Sequence, residues 1–275
     1  LGPKGTPILR DPENPPAADL LLMESTYGNR NHRDRLGTVR ELGAILDSAW
    51  REGGNVMIPA FAVGRTQELL YWFAHHWDEW NVSRWRIFLD SPMAAKVVKV
   101  YDRHHELFDD DALAAWRGTP NPFRLPNLHA TESVQESMVI NRIQNGAIII
   151  AGNGMASGGR ILHHFKHNLG RREAHVVFVG YQAEGTLGRR LVNGAPWVRI
   201  YGQDVRVNAQ RHTVGGLSAH ADQSGLLEWY AAFAPPPPVA LVHGEDVARE
   251  ALAGELRERF DVTAELARPG MTLAV

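Results

Sequence analysis

Short runs of apolar residues recur along the chain, and most lead into a segment in which apolar residues are spaced three or four positions apart. The first pattern is typical of buried strands, and the second is typical of helices with one buried face. The predicted strands are residues 19–24, 55–60, 85–90, 147–151, 174–179, 239–242, 262–266 and 271–275, with one or two more in 198–207. The predicted helices are residues 36–52, 64–80, 93–108, 133–145, 160–169, 186–192, 225–233 and 246–260.

The alternation of strands and helices predicts an α/β fold with a mostly parallel sheet that is covered by helices on both faces. Residues 109–127 contain three prolines and no clear periodicity, so we expect an irregular surface segment there. Four consecutive prolines at 235–238 predict a stiff spacer. We place a middle domain at residues 29–210, and we assign residues 1–28 and 211–275 to a second domain.

The amino-acid composition excludes several kinds of functional site and a membrane-spanning helix. The chain of 275 residues contains no cysteine, which excludes disulfides, thiolate zinc sites and cysteine nucleophiles. No apolar run reaches the roughly 18 residues that a membrane span needs, and no secretory signal is present. We therefore expect a cytoplasmic protein without a membrane partner.

Positive charge is local, because the formal net charge of the whole chain is only −2. Basic residues crowd three segments, which are residues 30–40, 160–172 and 189–190. Clusters of this kind can hold a polyanion even when the total charge is near zero. Solvated helix faces remain the alternative for each cluster taken alone.

Three loops that follow predicted strands contain glycine and end at a helix start with an arginine nearby. Backbone N–H groups at a helix start favour anions, and loops after parallel strands meet at one sheet edge. The sequences lack the Gly-Lys-Ser/Thr of a P-loop, so ordinary glycine-rich turns stay the alternative. Our candidates for contacts with backbone phosphates in these loops are Arg65, Ser157, Gly158, Gly159, Arg160 and Arg189.

Glu24, His220 and His243 each stand where a predicted strand ends or a helix begins. A carboxylate and two imidazoles that meet in one cleft would make an acid/base or metal site. The alternative is that each is an isolated loop residue held by local hydrogen bonds. His163 and His167 have the i, i+4 spacing of zinc-binding histidines, but no glutamate adjoins His163, so we interpret them as a surface pair.

Seven motifs, in chain order, resemble those of the bacterial β-CASP branch of the metallo-β-lactamase superfamily, whose members include ribonucleases. They are MESTYGNRNH, IPAFAVGRTQELL, LDSPMA, AGNGMASGGRILHHF, GYQAEGTLGRRL, GLSAHAD and LVHGE. The resemblance covers nearly the whole chain. It implies a β-CASP domain at residues 29–210 and the C-terminal part of a metallo-β-lactamase αβ/βα sandwich in the flanking residues.

The resemblance also implies roles for individual residues. Glu24 matches the acidic residue of the family's first β-CASP motif, His220 the histidine of the second, and His243 the histidine of the third, which is a zinc ligand. The implied activity is hydrolysis of single-stranded RNA at a two-zinc centre, leaving 5′-phosphates. His220 would be the general acid, Glu24 would orient it, and Ser218 would contact a phosphate.

The family's main zinc signature, His-x-His-x-Asp-His, does not occur in this sequence. Leu1-Gly2 resembles the tail of a Gly-Asp-Leu-Gly loop whose aspartate bridges the two metals. We therefore expect a part of a longer protein that has no nuclease activity with zinc by itself, and whose exposed apolar surface promotes association, for example as a homodimer. A DNA nuclease of the same superfamily, a non-catalytic RNA-binding module and an unrelated phosphate-ester enzyme remain alternatives.

Overall fold

The structure is a computed structural model that describes residues 1–14, 16–116 and 118–273. Its helices are α1 (Arg35–Arg51), α2 (Arg65–His75), α3 (Pro92–Tyr101), α4 (Asp110–Trp116), α5 (Val134–Ile140), α6 (Ile161–Asn168), α7 (Leu187–Val192), α8 (Gln223–Tyr230) and α9 (Asp246–Phe260). Its strands are β1 (Leu21–Glu24), β2 (Val56–Pro59), β3 (Arg86–Asp90), β4 (Leu128–Ala130), β5 (Ala147–Ala151), β6 (His175–Phe178), β7 (Trp197–Ile200), β8 (Gln203–Arg206), β9 (Gln210–Thr213), β10 (Val239–Val242) and β11 (Glu265–Leu266).

The chain divides into two compact units, each built from separated segments. The smaller unit consists of Leu1–Thr6, Arg10–His32 and Ser218–Val275, and the larger unit consists of Pro7–Leu9 and Arg33–Leu217. The assignment of the predicted segments to a β-CASP domain and to part of a metallo-β-lactamase domain stays a prediction.

The larger unit is organised around a parallel six-stranded sheet in the order β4-β3-β5-β2-β6-β9. Its central strands are buried on both faces. Along β5, Ile148 and Ile150 belong to one hydrophobic cluster, whereas Ile149 belongs to the other. Because side chains alternate across a strand, each face of the sheet lies against its own apolar layer. The predicted α/β class with a mostly parallel sheet is confirmed.

The three glycine-containing loops lie at the same edge of this sheet, as predicted. Strands β5, β2 and β6 are neighbours and run parallel, and Pro59 at the end of β2 is opposite Ala151 at the end of β5. The loops after these strands therefore start side by side.

Several predicted elements differ from the structure. Helix α4 lies inside the segment predicted to be irregular, because the prolines follow this helix and do not interrupt it. Strands β4 and β9 were missed because they are sheet edges with few buried apolar residues. The predicted helices at 64–80, 93–108 and 133–145 are shorter, ending at 75, 101 and 140. Of the predicted strand at 271–275, residues 271–273 are not a strand, and the remaining two lie outside the described residues.

The smaller unit contains the parallel sheet β1-β10-β11. Helices α8 and α9 contribute Leu226, Leu227, Leu252 and Leu256 to a core that also holds Leu241 of the central strand. None of the helices in the described part of the chain is long and apolar enough to cross a membrane.

A histidine pair, of which His175 is buried and His212 is partly buried, predicts a pH-dependent stability of the larger unit. His175 Nδ1 on β6 lies 3.0 Å from His212 Nε2 on β9. Burial, and then the neighbouring charge of His175, lower the pKa of His212 to about 4, and burial also lowers the pKa of His175. The unfolded chain thus binds more protons than the folded chain between about pH 6.5 and 4, so stability falls as the pH falls through this window.

Between pH 7 and 4.5, we expect the free energy of unfolding of the wild-type larger unit to fall by about 2 kcal/mol more than that of a His212→Gln variant. Urea unfolding at both pH values measures the difference. An equal pH dependence in the two proteins would show that the pair does not titrate on unfolding.

Candidate metal centre

Two of the candidate site residues are placed by the pairing of β1 with β10. Glu24 is the last residue of β1 and is opposite Val242, so His243 directly follows its partner position. The Ser25 hydroxyl donates to the Val242 carbonyl oxygen at 2.8 Å, which holds the two strand ends together beyond the sheet. Carboxyl ends of parallel strands meet at one edge, and this is where the side chains of Glu24 and His243 lie.

His220 reaches the same edge from the loop that precedes α8. Asp222 caps this helix by accepting from the Gly225 N–H at 2.8 Å, and its other oxygen accepts from the His32 N–H at 3.0 Å. His32 Nε2 donates to the His220 carbonyl oxygen at 2.7 Å. The segment after β1 therefore anchors the backbone at His220 and at the residues that follow it.

The side chains meet at hydrogen-bond distances. His220 Nδ1 lies 2.8 Å from Glu24 Oε2, and the rings of His220 and His243 are stacked with centroids 5.2 Å apart. The Thr26 hydroxyl lies 2.7 Å from Glu24 Oε2 and 3.1 Å from His243 Nδ1. Thr26 thus links the carboxylate to the second imidazole.

Electrostatics determine which nitrogen of His220 is protonated. Burial by itself raises the pKa of Glu24, but hydrogen bonds from His220 and Thr26, together with the charges of His220 and of the Leu1 ammonium group, lower it to about 2. An ionised carboxylate only accepts hydrogen bonds, so Nδ1 of His220 must carry a proton. Within the described residues Nε2 has no hydrogen-bond partner, and the side chain is 38% exposed. Nε2 is therefore the nitrogen that can exchange a proton with a bound substrate.

The same three residues are chemically suited to a metal ion. Within the residues that the structure describes, Glu24, His220 and His243 form a group of three potential metal ligands. One donor atom of each lies within 4.8 Å of the others. Imidazole nitrogen and carboxylate oxygen are the donors that zinc takes in proteins without cysteine ligands. Because His220 Nδ1 and Glu24 Oε2 already bind each other, His243 is the donor best able to turn to an ion.

The backbone at His243 depends on the glycine that follows it. His243 has a φ of 52°, in the left-handed region that non-glycine residues adopt mainly where the surroundings enforce it. A Cβ atom on Gly244 would lie 2.5 Å from Ser25 Oγ and 2.6 Å from the Ser25 carbonyl oxygen. A side chain at position 244 would therefore push the β10 end away from the β1 end.

We expect Gly244→Ala to lower any activity of this centre by about tenfold or more, because small displacements of reacting groups cost up to about 10²-fold. Gly254→Ala in α9 is the matched control, since a Cβ there meets nothing within 4 Å. The rate of the catalysed reaction and the affinity for zinc, measured for both alanine variants, test this prediction. Equal behaviour of the two alanine variants would show that the close approach at Ser25 does not position His243.

The predicted phosphate contacts are distributed over both units, and several already have protein partners. Ser218, in the smaller unit, accepts from the His220 N–H at 3.1 Å. In the larger unit, Arg65 is buried and paired with Glu68. Arg160 donates to Asp90 Oδ1 at 2.7 Å and to the Glu132 carbonyl oxygen at 3.1 Å.

The remaining candidates lie in the loop after β5, except for Arg189, which lies in α7. Ser157 is exposed, and its N–H donates to Asn153 Oδ1 at 3.0 Å. A Cβ on Gly158 would meet open space, whereas a Cβ on Gly159 would overlap the Gly152 carbonyl oxygen. Arg189 donates to the Tyr181 hydroxyl at 3.0 Å. Contact of any of these residues with phosphate stays a prediction.

Thr26 and His32 were missed as candidate site residues by sequence reasoning. Thr26 is a small polar residue two positions after Glu24 in the motif MESTYGNRNH, and His32 ends that motif. The run of mostly polar residues directly after β1 is the signal that would have marked them, because polar side chains at strand ends of parallel sheets face ligands.

Comparison with known proteins adds family descriptions to this geometry. Residues 66–191 match the Beta-Casp domain, and residues 204–267 match the Zn-dependent metallo-hydrolase RNA specificity domain. The chain is 43% identical over 270 residues to a protein named Ribonuclease TTHA0252 from Thermus thermophilus, covering 98% of this chain and 61% of that protein. It is 31% identical over 257 residues to a Transcription termination factor FttA from Thermococcus kodakarensis, covering 90% of this chain and 39% of that protein. The chain thus spans about three fifths or less of these relatives.

Proposed function

The chain belongs to the β-CASP branch of the metallo-β-lactamase superfamily, and we propose that the protein containing it is a metal-dependent ribonuclease that hydrolyses single-stranded RNA. The convergence of Glu24, His220 and His243 from distant parts of the sequence carries this proposal. The names of the relatives, a ribonuclease and a transcription termination factor, support RNA as the substrate.

We assign each of the three residues a separate task. His220 donates the proton on Nε2 to the 3′-oxygen that leaves when water attacks phosphorus, so the P–O3′ bond breaks and the product carries a 5′-phosphate. Glu24 accepts a hydrogen bond from Nδ1 of His220 and so orients the ring with Nε2 towards the substrate. His243 would hold one of two zinc ions in the whole protein. When bound, such a pair of metals supplies an activated nucleophile and stabilises charge on the phosphate.

We also propose contacts to the RNA backbone from Ser218 in the smaller unit and from the three loops of the larger unit. Arg189 and the loop containing Ser157, Gly158 and Gly159 would contact phosphates directly. Arg65 and Arg160 already form ion pairs with carboxylates, so each guanidinium group would contact a phosphate while it keeps its carboxylate partner. We further propose that the larger unit is the β-CASP domain, and that the protein acts in the cytoplasm as a homodimer.

Side-by-side cleavage of single-stranded RNA and DNA of one sequence, by the full-length protein with zinc and with a chelator, tests the function. The proposal predicts that RNA is cut, that chelation stops cleavage, and that the products carry 5′-phosphates. Preferential cleavage of the DNA, or RNA binding without cleavage at any zinc concentration, would contradict it.

A further inference from the structure

The hairpin formed by β7 and β8 in the larger unit presents an unusual outer face. Val198 and Ile200 are buried against the core, so the alternating positions Trp197 and Arg199 point outward. Trp197 is opposite Arg206 in the antiparallel register, and the Arg206 guanidinium carbon lies 5.9 Å from the centre of a Trp197 ring. The outer face of the hairpin therefore combines an aromatic ring with arginines.

The turn of the hairpin carries a second aromatic ring at a position where tyrosine is costly. Tyr201 has a φ of 49° and Gly202 a φ of 76°, so both central residues adopt the positive φ of a type I′ turn. Asparagine is the usual first residue of such a turn. Tyr201 is 56% exposed, and its hydroxyl lies 3.2 Å from Nε2 of His163 on α6, with the two rings 4.8 Å apart. The ring is thus held in place while most of it faces solvent.

The net charge around these rings is positive. Residues 186–211 contain five arginines and one aspartate, with no lysine or glutamate, although the whole chain has a net charge of −2. Among the residues that the structure describes, neither Arg199 nor Arg206 makes an ion pair. Free guanidinium groups beside exposed rings attract a polyanion that also carries flat, stackable groups.

We propose that this hairpin is a binding platform for single-stranded RNA, on which bases stack against Trp197 and Tyr201 while Arg199 and Arg206 contact phosphates. The proposal rests on the proposed ribonuclease function, and it adds a binding surface to the catalytic residues. Stacking tolerates any base, so this surface gives affinity without sequence preference. The arginines make RNA the favoured occupant over an apolar protein surface.

A second tryptophan–arginine pair in the same unit provides a matched control. The Arg84 guanidinium carbon lies 5.0 Å from the centre of a Trp50 ring, and Trp50 is 38% exposed. Arg84, however, donates to Asp47 at 3.1 Å, so its charge is neutralised. Trp50 therefore has the aromatic ring and the cation, but not the free positive charge.

The test measures binding of a labelled single-stranded oligoadenylate to the full-length protein carrying His220→Ala, so that RNA is not consumed. Trp197→Thr keeps a strand-forming residue, and Tyr201→Asn places the preferred residue in the turn, so neither variant should unfold the hairpin. We expect each to weaken binding by about fivefold to a hundredfold. Trp50→Leu should leave binding unchanged, and Arg206→Gln should reduce the slope of log affinity against log salt by about 0.7.

RNA affinity that stays unchanged in both Trp197→Thr and Tyr201→Asn would overturn the proposal. So would a loss of self-association in sedimentation with unchanged RNA affinity, because the hairpin would then be a protein interface. Cleavage by the same variants with His220 intact separates this result from the catalytic function. At saturating RNA their rates should equal the wild-type rate, which shows that any loss is one of binding.

Discussion

Replacing His220 with alanine in the full-length protein is expected to lower the rate of RNA cleavage by about 10²–10⁴-fold and to leave RNA affinity within a few-fold. The reason is geometric. Of the two ring nitrogens of His220, only Nδ1 hydrogen-bonds within the described part of the protein, and Glu24 Oε2 lies 2.8 Å from it. The imidazole therefore contributes a transferable proton at Nε2 and little to binding of the RNA backbone.

Single-turnover cleavage at saturating RNA measures this effect apart from product release. His104→Ala is the matched control, because His104 is an exposed histidine that also binds a carboxylate, Glu106 Oε1, at 2.9 Å. Its replacement should not change the rate. A His220→Ala protein that cuts RNA at the wild-type rate would show that His220 is not the general acid.

Replacing Asp90 with asparagine is expected to destabilise the larger unit by about 3–5 kcal/mol. The Asp90 carboxylate is fully buried and accepts hydrogen bonds from His164 Nε2 at 2.6 Å, Ser137 Oγ at 2.6 Å, Arg160 and Thr131. Burial by itself raises the pKa of Asp90, but these hydrogen bonds outweigh it and hold the pKa well below its usual range. An asparagine would leave the Arg160 guanidinium without its counter-charge and would turn an amide N–H towards other donors.

Urea unfolding followed by tryptophan fluorescence measures this loss, because seven of the eight tryptophans lie in the larger unit. Asp47→Asn is the control. Like Asp90, Asp47 forms ion pairs: its partners are Arg51 at 3.2 Å and Arg84 at 3.1 Å. Unlike Asp90, its side chain is half exposed. Exposed ion pairs contribute about 0–1 kcal/mol, so this variant should be almost as stable as the wild type. Equal losses in the two variants would show that burial of Asp90 does not set its contribution.

The central part of the fold is predictable from the sequence because the two middle strands, β2 and β5, have no polar positions. Strand β5, with the sequence AIIIA, is buried on both faces, and no helix period fits so short an apolar run between loops. Strand β9, with the sequence QRHT, was missed, since a sheet edge needs only one covered face and pairs through its backbone. Helix α4 was missed because its capping residue, Asp109, was grouped with the prolines that follow the helix.

The sequence indicated which three residues would converge, but not the contacts that they make. The motifs indicated Glu24, His220 and His243, and the register of β1 with β10 brings the first and last together. No sequence pattern indicated that Thr26 would bridge Glu24 and His243, because this contact depends on how two loops turn after their strands. Likewise, arginines in glycine-rich loops suggested free anion-binding groups, whereas Arg65 and Arg160 bind carboxylates supplied by distant or neighbouring residues.

In the proposed mechanism, Glu24 acts on the reaction only through His220. A double-mutant cycle on RNA cleavage, with Glu24→Gln, His220→Ala and the double variant of the full-length protein, tests this claim directly. We expect Glu24→Gln to slow cleavage in the wild-type background and to have almost no further effect once His220 is alanine, because residues that act as a unit are not additive. Effects that multiply in the double variant would contradict the account, since the carboxylate and the imidazole would then act independently.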